Sequence, residues 1–502
     1  MSYFITFDSN SGFLIDPTSP FYQLTFITQY LEPDEDSIKT LSDNIKRSNM
    51  GVVAHYYMDV ELQGVLSSIQ RQQVKEGIKE KRIGIADSLV MGDLACKMCE
   101  DGATSIACLG VDFMSESVVT IMTRNGWGHI PVYRATASYI GCSLAESAER
   151  DVYRAWLQKG RAENKHPLHV VYINTSLETK AVSSSIVPTI TCTSSNVMST
   201  MLQASAQIPD LKIMYGPDTY MGNNLVTMFT SILNAGWDDE RIARDLHPMH
   251  NRQSIQQLRD NIDVFPDGNC VVHHMFGNEV VNILNEKYDD AYISAHLEVP
   301  GEMFDIAMEK SLYGNGVVGS TADILKFISA KVLEAANESK HVTSLESRRL
   351  RFILGTEAGM VTSIVTAVQD ILANTGCNNL EAEIVFPVSN EAVMGAEDSE
   401  LGVVPGVAGG DGCSTAGGCA TCPFMKMNDL DALNDIMEMV IDGRDEFKLK
   451  SHLPPNRLHG KMINGVSAID LGSEPILYMR YFMKEKQIPD QLVQKVISSS
   501  YS

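Results

Sequence analysis

The sequence predicts an α/β fold made of three similar domains with parallel sheets. Apolar, strand-like runs such as 50–57 and 168–173 alternate with amphipathic segments such as 322–336, and this alternation is typical of parallel sheets covered by helices. The chain has 502 residues, which favours several cores because single cores stop growing near ~250–300 residues. With 44% hydrophobic and 21% charged residues, the composition is that of a folded globular protein.

The number of domains comes from a regularity in the strand ends. Ring-bearing or carboxylate side chains follow strand-like runs at 55–57, 172–174 and 296–298. These positions are about 120 residues apart, which is the size of a domain rather than of a short repeat. We therefore predict three α/β domains, the first with an N-terminal extension and the last with a C-terminal segment. Their predicted bounds are 1–150, 151–275 and 276–502.

Each strand end is followed by a turn rich in small hydroxyl residues that is predicted to open a helix. These turns are Asp87 and Ser88, Thr193 to Asn196, and Gly319 to Thr321. A helix start can bind phosphate or carboxylate through its N–H groups and its positive dipole end. Ser and Thr are also the preferred N-caps, so both interpretations stay open for any single turn. Three turns at matching offsets favour a shared anion site where the domains meet.

Charge and targeting signals exclude some partners. The chain carries 63 acidic and 40 basic residues, a net charge of −23, which argues against nucleic acid or an anionic membrane as a partner. The longest uncharged stretch, 181–209, is rich in polar residues, so no bilayer span is expected. No basic residue precedes Lys39, whereas targeting leaders are rich in basic residues. The expected location is therefore the cytoplasm, where thiols stay reduced.

The ten cysteines include a set with roughly one member in each predicted domain. Cys142 and Cys270 lie in loops after Gly or Gly-Asn, and Cys422 ends a run that also contains Cys413 and Cys419. Three thiolates from three domains would suit an iron–sulfur cluster with one open iron, which can act as a Lewis acid. Zinc held by the last three cysteines and unligated buried thiols also stay open on spacing alone.

A dozen short motifs, in order from about residue 50 to residue 428, resemble those of the quinolinate synthase family. Each is weak alone, and their order carries the resemblance. They are AHYY (54–57), DSL (87–89), GVDFMSE (110–116), GCSLA (141–145), YINTS (172–176), CTSSN (192–196), GPD (216–218), CVVH (270–273), HLE (296–298), VGST (318–321), GTEAG (355–359) and CATCPFMKMN (419–428). The segments 299–303 and 472–475 are similar to the long, plant-type branch.

The resemblance implies a transferase of NAD biosynthesis. The family condenses iminoaspartate with dihydroxyacetone phosphate to give quinolinate, phosphate and water. Its fold is three α/β domains around a pseudo-threefold axis, with the active site and a 4Fe–4S cluster at their junction. The imine would come from L-aspartate oxidase or L-aspartate dehydrogenase.

The resemblance also implies roles for individual residues. Tyr57 and Glu298 match the catalytic tyrosine and carboxylate, and a phenol or carboxylate can exchange protons with substrate. The cluster ligands would be Cys142, Cys270 and Cys422. The substrate-binding residues would be His55, Ser88, Tyr172, Asn174, Ser194, His273, His296, Ser320 and Thr321.

One departure limits the match, and two other functions remain open. Many bacterial members have His-Pro-Glu where this chain has His-Leu-Glu at 296–298, although both side chains that matter are retained. Glu357 in the GTEAG turn is expected to support the third domain and the cluster pocket. The alternatives are another 4Fe–4S hydro-lyase acting on a hydroxy acid, and a non-catalytic sensor that holds the cluster.

Overall fold

The structure is a computed structural model that describes most of the chain. The described residues are 2–8, 12–14, 33–270, 289–339, 348–357, 359–377, 380–387, 422, 424–443 and 445–498. The strands are β1 (Ser2–Asp8), β2 (Gly12–Leu14), β3 (Met50–His55), β4 (Ile83–Ala86), β5 (Ser105–Leu109), β6 (Val132–Arg134), β7 (His166–Tyr172), β8 (Thr189–Cys192), β9 (Leu211–Gly216), β10 (Ile262–Val264), β11 (Tyr292–His296), β12 (Gly316–Gly319), β13 (Arg348–Gly355), β14 (Leu380–Pro387), β15 (Met462–Ile463) and β16 (Val466–Ser467).

Helices connect most of the strands. They are α1 (Glu35–Ser48), α2 (Val60–Lys75), α3 (Met91–Glu100), α4 (Asp112–Arg124), α5 (Ser143–Glu149), α6 (Asp151–Glu163), α7 (Leu177–Ile186), α8 (Val197–Gln207), α9 (Thr219–Asn234), α10 (Asp239–Asp245), α11 (Arg252–Asp260), α12 (Gly301–Ser311), α13 (Thr321–Ser339), α14 (Gly359–Thr375), α15 (Leu430–Asp442), α16 (Glu446–Ser451), α17 (Ala468–Glu485) and α18 (Asp490–Ser498). Among these described helices none is long and apolar enough to cross a membrane.

Three parallel four-stranded arrays repeat one topology. Their orders are β4-β3-β5-β6, β8-β7-β9-β10 and β12-β11-β13-β14, and every pairing within them is parallel. The prediction of an α/β fold with three parallel sheets is therefore confirmed. In each array the second strand lies on one side of the first strand and the third lies on the other side. Ligands bind beyond the carboxyl ends of parallel strands at such switch points.

The third array continues with two antiparallel strands from the start of the chain. β1 pairs with β14, and β2 pairs with β1. This sheet therefore has six strands, four parallel and two antiparallel.

The chain divides into two compact units. The first contains Met1–Gly110, His129–Ile140 and Val271–Leu453, and with them the first and third sheets; the second contains Val111–Gly128, Gly141–Cys270 and Pro454–Ser502, and with them the second sheet. The units do not correspond one to one with the domains predicted over 1–150, 151–275 and 276–502. Those boundaries stay a prediction.

Apolar side chains from strands and helices form a core in each unit. In the first unit, residues of β3 and β5, with Leu41 of α1, Leu62 of α2 and Leu433 of α15, belong to one buried cluster. In the second unit, Tyr153, Met214 and Phe265 belong to another. The helix starts are fixed locally, since Asp34 and Asp59 each accept hydrogen bonds from backbone N–H groups of the first turn. Such caps satisfy donors that the helix itself leaves unpaired.

Candidate active site

Two strands of the first unit end in the same local arrangement. β3 ends at His55, whose Nδ1 accepts a hydrogen bond from the backbone N–H of Tyr57 at 3.2 Å. β11 ends at His296, whose Nδ1 accepts one from the backbone N–H of Glu298 at 3.3 Å. Because Nδ1 is the acceptor, each ring has its N–H at Nε2 and can donate it to a ligand. Each histidine therefore positions the residue two places further on.

Tyr57 lies among groups that keep its phenol protonated. Its hydroxyl is 3.0 Å from Thr321 Oγ1, and its ring meets the His55 ring edge-on with centroids 4.7 Å apart. Burial raises the pKa of Tyr57 well above its usual value, the negative charges of Glu298 and Glu357 raise it further, and the bond to Thr321 opposes the rise. A neutral phenol in this position can both donate and accept a proton.

The carboxylate of Glu298 lies beside the buried imidazole of His296. Glu298 and His296 are buried, at 3% and 2% exposure, and Glu298 Oε2 is 4.0 Å from His296 Nδ1. Burial lowers the pKa of His55 to about 4; Glu298 opposes this shift and His296 adds to it. His55 is therefore uncharged at neutral pH. This group of side chains combines a phenol, a carboxylate and imidazole donors, which are the types of group that carry out acid–base catalysis.

Glu357 fastens the segment that carries Cys422. Its side chain is buried, and Oε1 accepts a hydrogen bond from the backbone N–H of Cys422 at 2.7 Å. Within the described part of the chain, Oε2 has no hydrogen-bond partner. Burial raises the pKa of Glu357 well above its usual value; the Cys422 N–H and Lys426 lower it, and Glu298 raises it. The sequence motif around Glu357 did not disclose this specific contact.

Close packing at Gly359 connects α14 to the Tyr57 segment. A Cβ at Gly359 would lie 2.9 Å from the carbonyl oxygen of Tyr56 and 3.0 Å from Tyr57 Cα. Both neighbouring atoms belong to the backbone, so neither can move aside without displacing the strand end. Gly359, the last residue of the GTEAG motif, therefore allows its helix to approach the backbone of Tyr56 and Tyr57 closely. The sequence alone did not predict this contact.

The three hydroxyl turns follow the second strand of each array, as their spacing predicted. Ser320 donates to Asp323 Oδ2 at 2.6 Å and accepts from the Asp323 N–H at 3.3 Å, so its hydroxyl caps α13. Asp87 Oδ1 accepts from the N–H groups of Leu89 and Val90, and Asn196 Oδ1 accepts from the Thr193 N–H. The hydroxyl of Ser320 thus caps the helix. Anion binding at Ser88, Ser194, Ser320 and Thr321 stays a prediction.

In the second unit, β7 ends at Tyr172 and leads into the loop that carries Asn174. Tyr172 is buried and Asn174 is partly exposed. The Ile173 N–H donates to the Cys192 carbonyl at 2.8 Å, and Thr175 Oγ1 donates to the Tyr172 carbonyl at 3.0 Å. Tyr172 and Asn174 thus occupy the strand-end position that His55 and Tyr57 occupy in the first array. His273, which the resemblance also assigned to substrate, lies outside the described residues.

Two of the three proposed ligand cysteines lie on neighbouring loops of the second unit. Ser143, next to Cys142, donates through Oγ to the carbonyl of Asn269, next to Cys270, at 3.2 Å. The Cys270 loop is held at Gly268, where the backbone lies so close to the carbonyl of Pro217 that no Cβ fits. Thr219 adds a hydrogen bond of 2.7 Å to the Gly268 carbonyl. The GPD motif therefore supports the Cys270 loop.

Exposure separates the proposed ligands from the other described cysteines. Of the eight that the structure describes, five are buried and the three that are partly exposed are Cys142, Cys270 and Cys422. Thiols of this kind, in loops, fit the donor set of an iron–sulfur cluster. No group of three or more Cys, His, Asp or Glu among the described residues is arranged to hold a single metal ion. Cys413 and Cys419 lie outside the described residues, so zinc there stays untested.

Fold and site together define an α/β protein with an enzyme-like cluster at the ends of parallel strands. The family described as "NadA: Quinolinate synthetase A protein" matches residues 37–451. The chain belongs to this family, which confirms the resemblance found in the sequence.

Named relatives come from plants and bacteria. The chain is 46% identical over 484 residues to "Quinolinate synthase, chloroplastic" of Nicotiana tabacum, covering 94% of this chain and 64% of the relative. It is 45% identical over 488 residues to the Arabidopsis thaliana protein of the same name, with shares of 94% and 64%. It is 25% identical over 419 residues to "Quinolinate synthase" of Prochlorococcus marinus (strain MIT 9303), with shares of 82% and 87%. The chain thus spans just under two thirds of the plant relatives' length.

The predicted cytoplasmic location is wrong. The relatives from Nicotiana tabacum, Arabidopsis thaliana and Oryza sativa are named chloroplastic, so similarity points to the plastid. The prediction rested on the charge of the first residues, and the composition of one segment does not establish the compartment in which a protein works.

Proposed function

We propose that this protein is a quinolinate synthase that condenses iminoaspartate with dihydroxyacetone phosphate to quinolinate, phosphate and water. The observation that carries the proposal is the grouping of Tyr57, Thr321 and Glu298 with the His55 and His296 rings in one compact unit. Family membership supports the same reaction.

Tyr57 and Glu298 would exchange protons with the substrates. The Tyr57 phenol is protonated, since its pKa is raised by burial, so it can donate to an oxygen that leaves as water or take part in the isomerisation of the triose. Glu298, buried next to His296, would accept a proton from carbon. The Nε2–H groups of His55 and His296 would bind oxygens of the substrate. Each of these steps uses acid–base chemistry that positioned side chains accelerate by about 10²–10⁴-fold.

Binding of the two anionic substrates would fall to residues at strand ends and turns. Tyr172 and Asn174 would contact the carboxylates and ring region of the product. Ser88, Ser194, Ser320, Thr321 and His273 would complete the phosphate and carboxylate contacts. The unsaturated imine hydrolyses in water, so an L-aspartate oxidase or dehydrogenase would have to supply it.

Cys142, Cys270 and Cys422 would hold a 4Fe–4S cluster. Their partial exposure and their thiolate chemistry support this assignment. When bound, the cluster supplies an open iron that acts as a Lewis acid. The chain itself contributes the positions of the thiols: Glu357 fixes the backbone at Cys422, and the bond from Ser143 to Asn269 joins the loops of the other two.

The test is anaerobic purification, analysis of iron and sulfide, and an assay with both substrates. We expect about four irons and four sulfides per chain and formation of quinolinate that depends on both substrates. A protein with a full cluster that makes no quinolinate would refute the proposal. Turnover of a hydroxy acid would then indicate the alternative hydro-lyase, and a cluster without any turnover would indicate the sensor.

A further inference from the structure

In the second unit, a fully buried lysine donates hydrogen bonds to the loop that carries Asn174. Lys180 belongs to α7 and has no exposed surface. Its Nζ donates to the Ile173 carbonyl at 3.1 Å, to Thr175 Oγ1 at 2.9 Å and to the Thr175 carbonyl. An ammonium group has three N–H donors, and here each has an oxygen acceptor. Two of the three acceptors are the backbone carbonyls on either side of Asn174.

The charge on Lys180 has a buried partner. Glu116 of α4 is 8% exposed, and its Oε2 accepts a hydrogen bond of 2.7 Å from the backbone N–H of Leu177, the first residue of α7. Burial lowers the pKa of Lys180, whereas attraction to Glu116 raises it. Burial raises the pKa of Glu116, whereas the Leu177 N–H and Lys180 lower it. Burial is the larger cause in both groups, so the pKa of Lys180 is lowered and that of Glu116 is raised, and their mutual attraction limits both shifts.

The same lysine is coupled to the neighbouring strand end. Cys192, the last residue of β8, accepts the N–H of Ile173 through its carbonyl, and the Ile173 carbonyl in turn accepts a hydrogen bond from Lys180. Cys192 also leads directly into the turn with Ser194. One ammonium group therefore lies at the base of two segments to which substrate contacts are assigned.

We propose that Lys180 is a positioning residue, with Glu116 as its counter-charge, which holds the 173–175 loop so that Tyr172 and Asn174 meet the substrate in one conformation. The role rests on the proposed function only in assigning substrate contacts to those two residues. A buried ion pair is weak evidence for stability, because well-packed apolar replacements are often as stable. What an apolar side chain cannot do is donate to three loop oxygens.

The test compares holoprotein variants that separate positioning from stability. Lys180→Met alone leaves the Glu116 charge buried without its partner, so it is expected to destabilise the fold. The double variant Glu116→Gln/Lys180→Met removes both charges and keeps an acceptor for the Leu177 N–H. Lys180→Arg keeps the charge, but its planar fork differs from the three-way geometry of the ammonium. Lys159→Met is the matched control, since Lys159 is exposed on α6 of the same unit.

Two measurements decide the outcome: the Kd for quinolinate by anaerobic calorimetry, and hydrogen–deuterium exchange of residues 173–176. In the double variant we expect a thermal midpoint and cluster absorbance close to wild type, at least about tenfold weaker quinolinate binding, and faster exchange in the loop. Lys180→Arg should also bind quinolinate more weakly and exchange faster in the loop, and Lys159→Met should change neither quantity. The inference would be overturned if the double variant had the wild-type Kd and the wild-type hydrogen–deuterium exchange. If the double variant does not fold, the same result for Lys180→Arg would overturn it. If wild type itself bound no quinolinate, the proposed function would fail, and exchange would still test the loop.

Discussion

The first and second units hold their strand-end residues in different ways. In the first unit, the imidazoles of His55 and His296 accept the N–H two residues further on. In the second unit, the loop of Asn174 is held through its carbonyl groups by the ammonium of Lys180. The same topological position is therefore fixed once by a ring nitrogen that accepts a hydrogen bond and once by a lysine side chain that donates hydrogen bonds.

This difference has a consequence for how each loop responds to its surroundings. The imidazole contact lies within three consecutive residues and depends on the ring remaining able to accept a hydrogen bond. The ammonium contact joins Lys180 to residues five and seven places earlier and depends on Glu116, which is distant in sequence. The first arrangement is sensitive to protonation of one ring, and the second to the removal of either member of a buried pair.

The largest expected effect tests whether the first unit provides the acid–base group. Replacing Tyr57 by Phe removes the hydroxyl that contacts Thr321 and should reduce quinolinate formation by about 10²–10⁴-fold. The cluster absorbance should be unchanged, because Tyr57 is not a proposed ligand. Tyr56→Phe is the control, since Tyr56 is the neighbouring phenol. Equal steady-state rates for the two variants would contradict the assignment.

A smaller loss of function is expected when Glu357, whose carboxyl group accepts the backbone N–H of Cys422, is replaced. Glu357→Ala removes the acceptor of the Cys422 N–H, and hydrogen bonds to charged or buried groups contribute about 1–3 kcal/mol. The iron content after gel filtration should fall, whereas Glu357→Gln, which keeps a side-chain carbonyl, should lose less. Iron and sulfide analysis of the purified variants measures this. Full iron in Glu357→Ala would show that the contact does not matter for cluster retention.

The last prediction, whose effect is absent at neutral pH, tests the neutral imidazole of His55 directly. The pKa of His55 is lowered to about 4 by burial, whereas in the unfolded chain it is near 6.5. The unfolded state therefore binds more protons between these values, and His55 makes stability fall as the pH decreases from about 6.5 to about 4. Thermal midpoints of wild type should drop relative to those of His55→Gln across this range and run parallel above pH 7. Parallel curves throughout would show that His55 titrates normally.

Much of the fold could be predicted because its signals are local. Alternating strand and helix patterns indicated parallel sheets, and the strand ends at His55, Tyr172 and His296 were found from side-chain type and spacing. Their shared topological position follows from the repeated strand order. Capping, one of the two interpretations left open for each hydroxyl turn, is observed at Ser320 because the cap and its partner Asp323 are only three residues apart.

The contacts that escaped prediction join residues far apart in the chain. Glu357 binds the backbone of Cys422 and Gly359 packs against Tyr57. A single sequence, taken by itself, contains no signal for such distant pairs. Lys180 shows a different limit. A lysine in an amphipathic helix is normally exposed, and only the folded structure reveals that this one is fully buried against loop oxygens.

The strand β1 changes what the third sheet exposes. Without it, β14 would be the last strand, with eight residues whose outward N–H and C=O groups could pair with another chain. β1 covers that edge by antiparallel pairing, and the new outer strand β2 has only three residues. Short outer strands are a common protection against edge-to-edge aggregation. β1 and β2, which carry none of the proposed catalytic or ligand residues, thereby shield the edge of β14 from pairing with another chain.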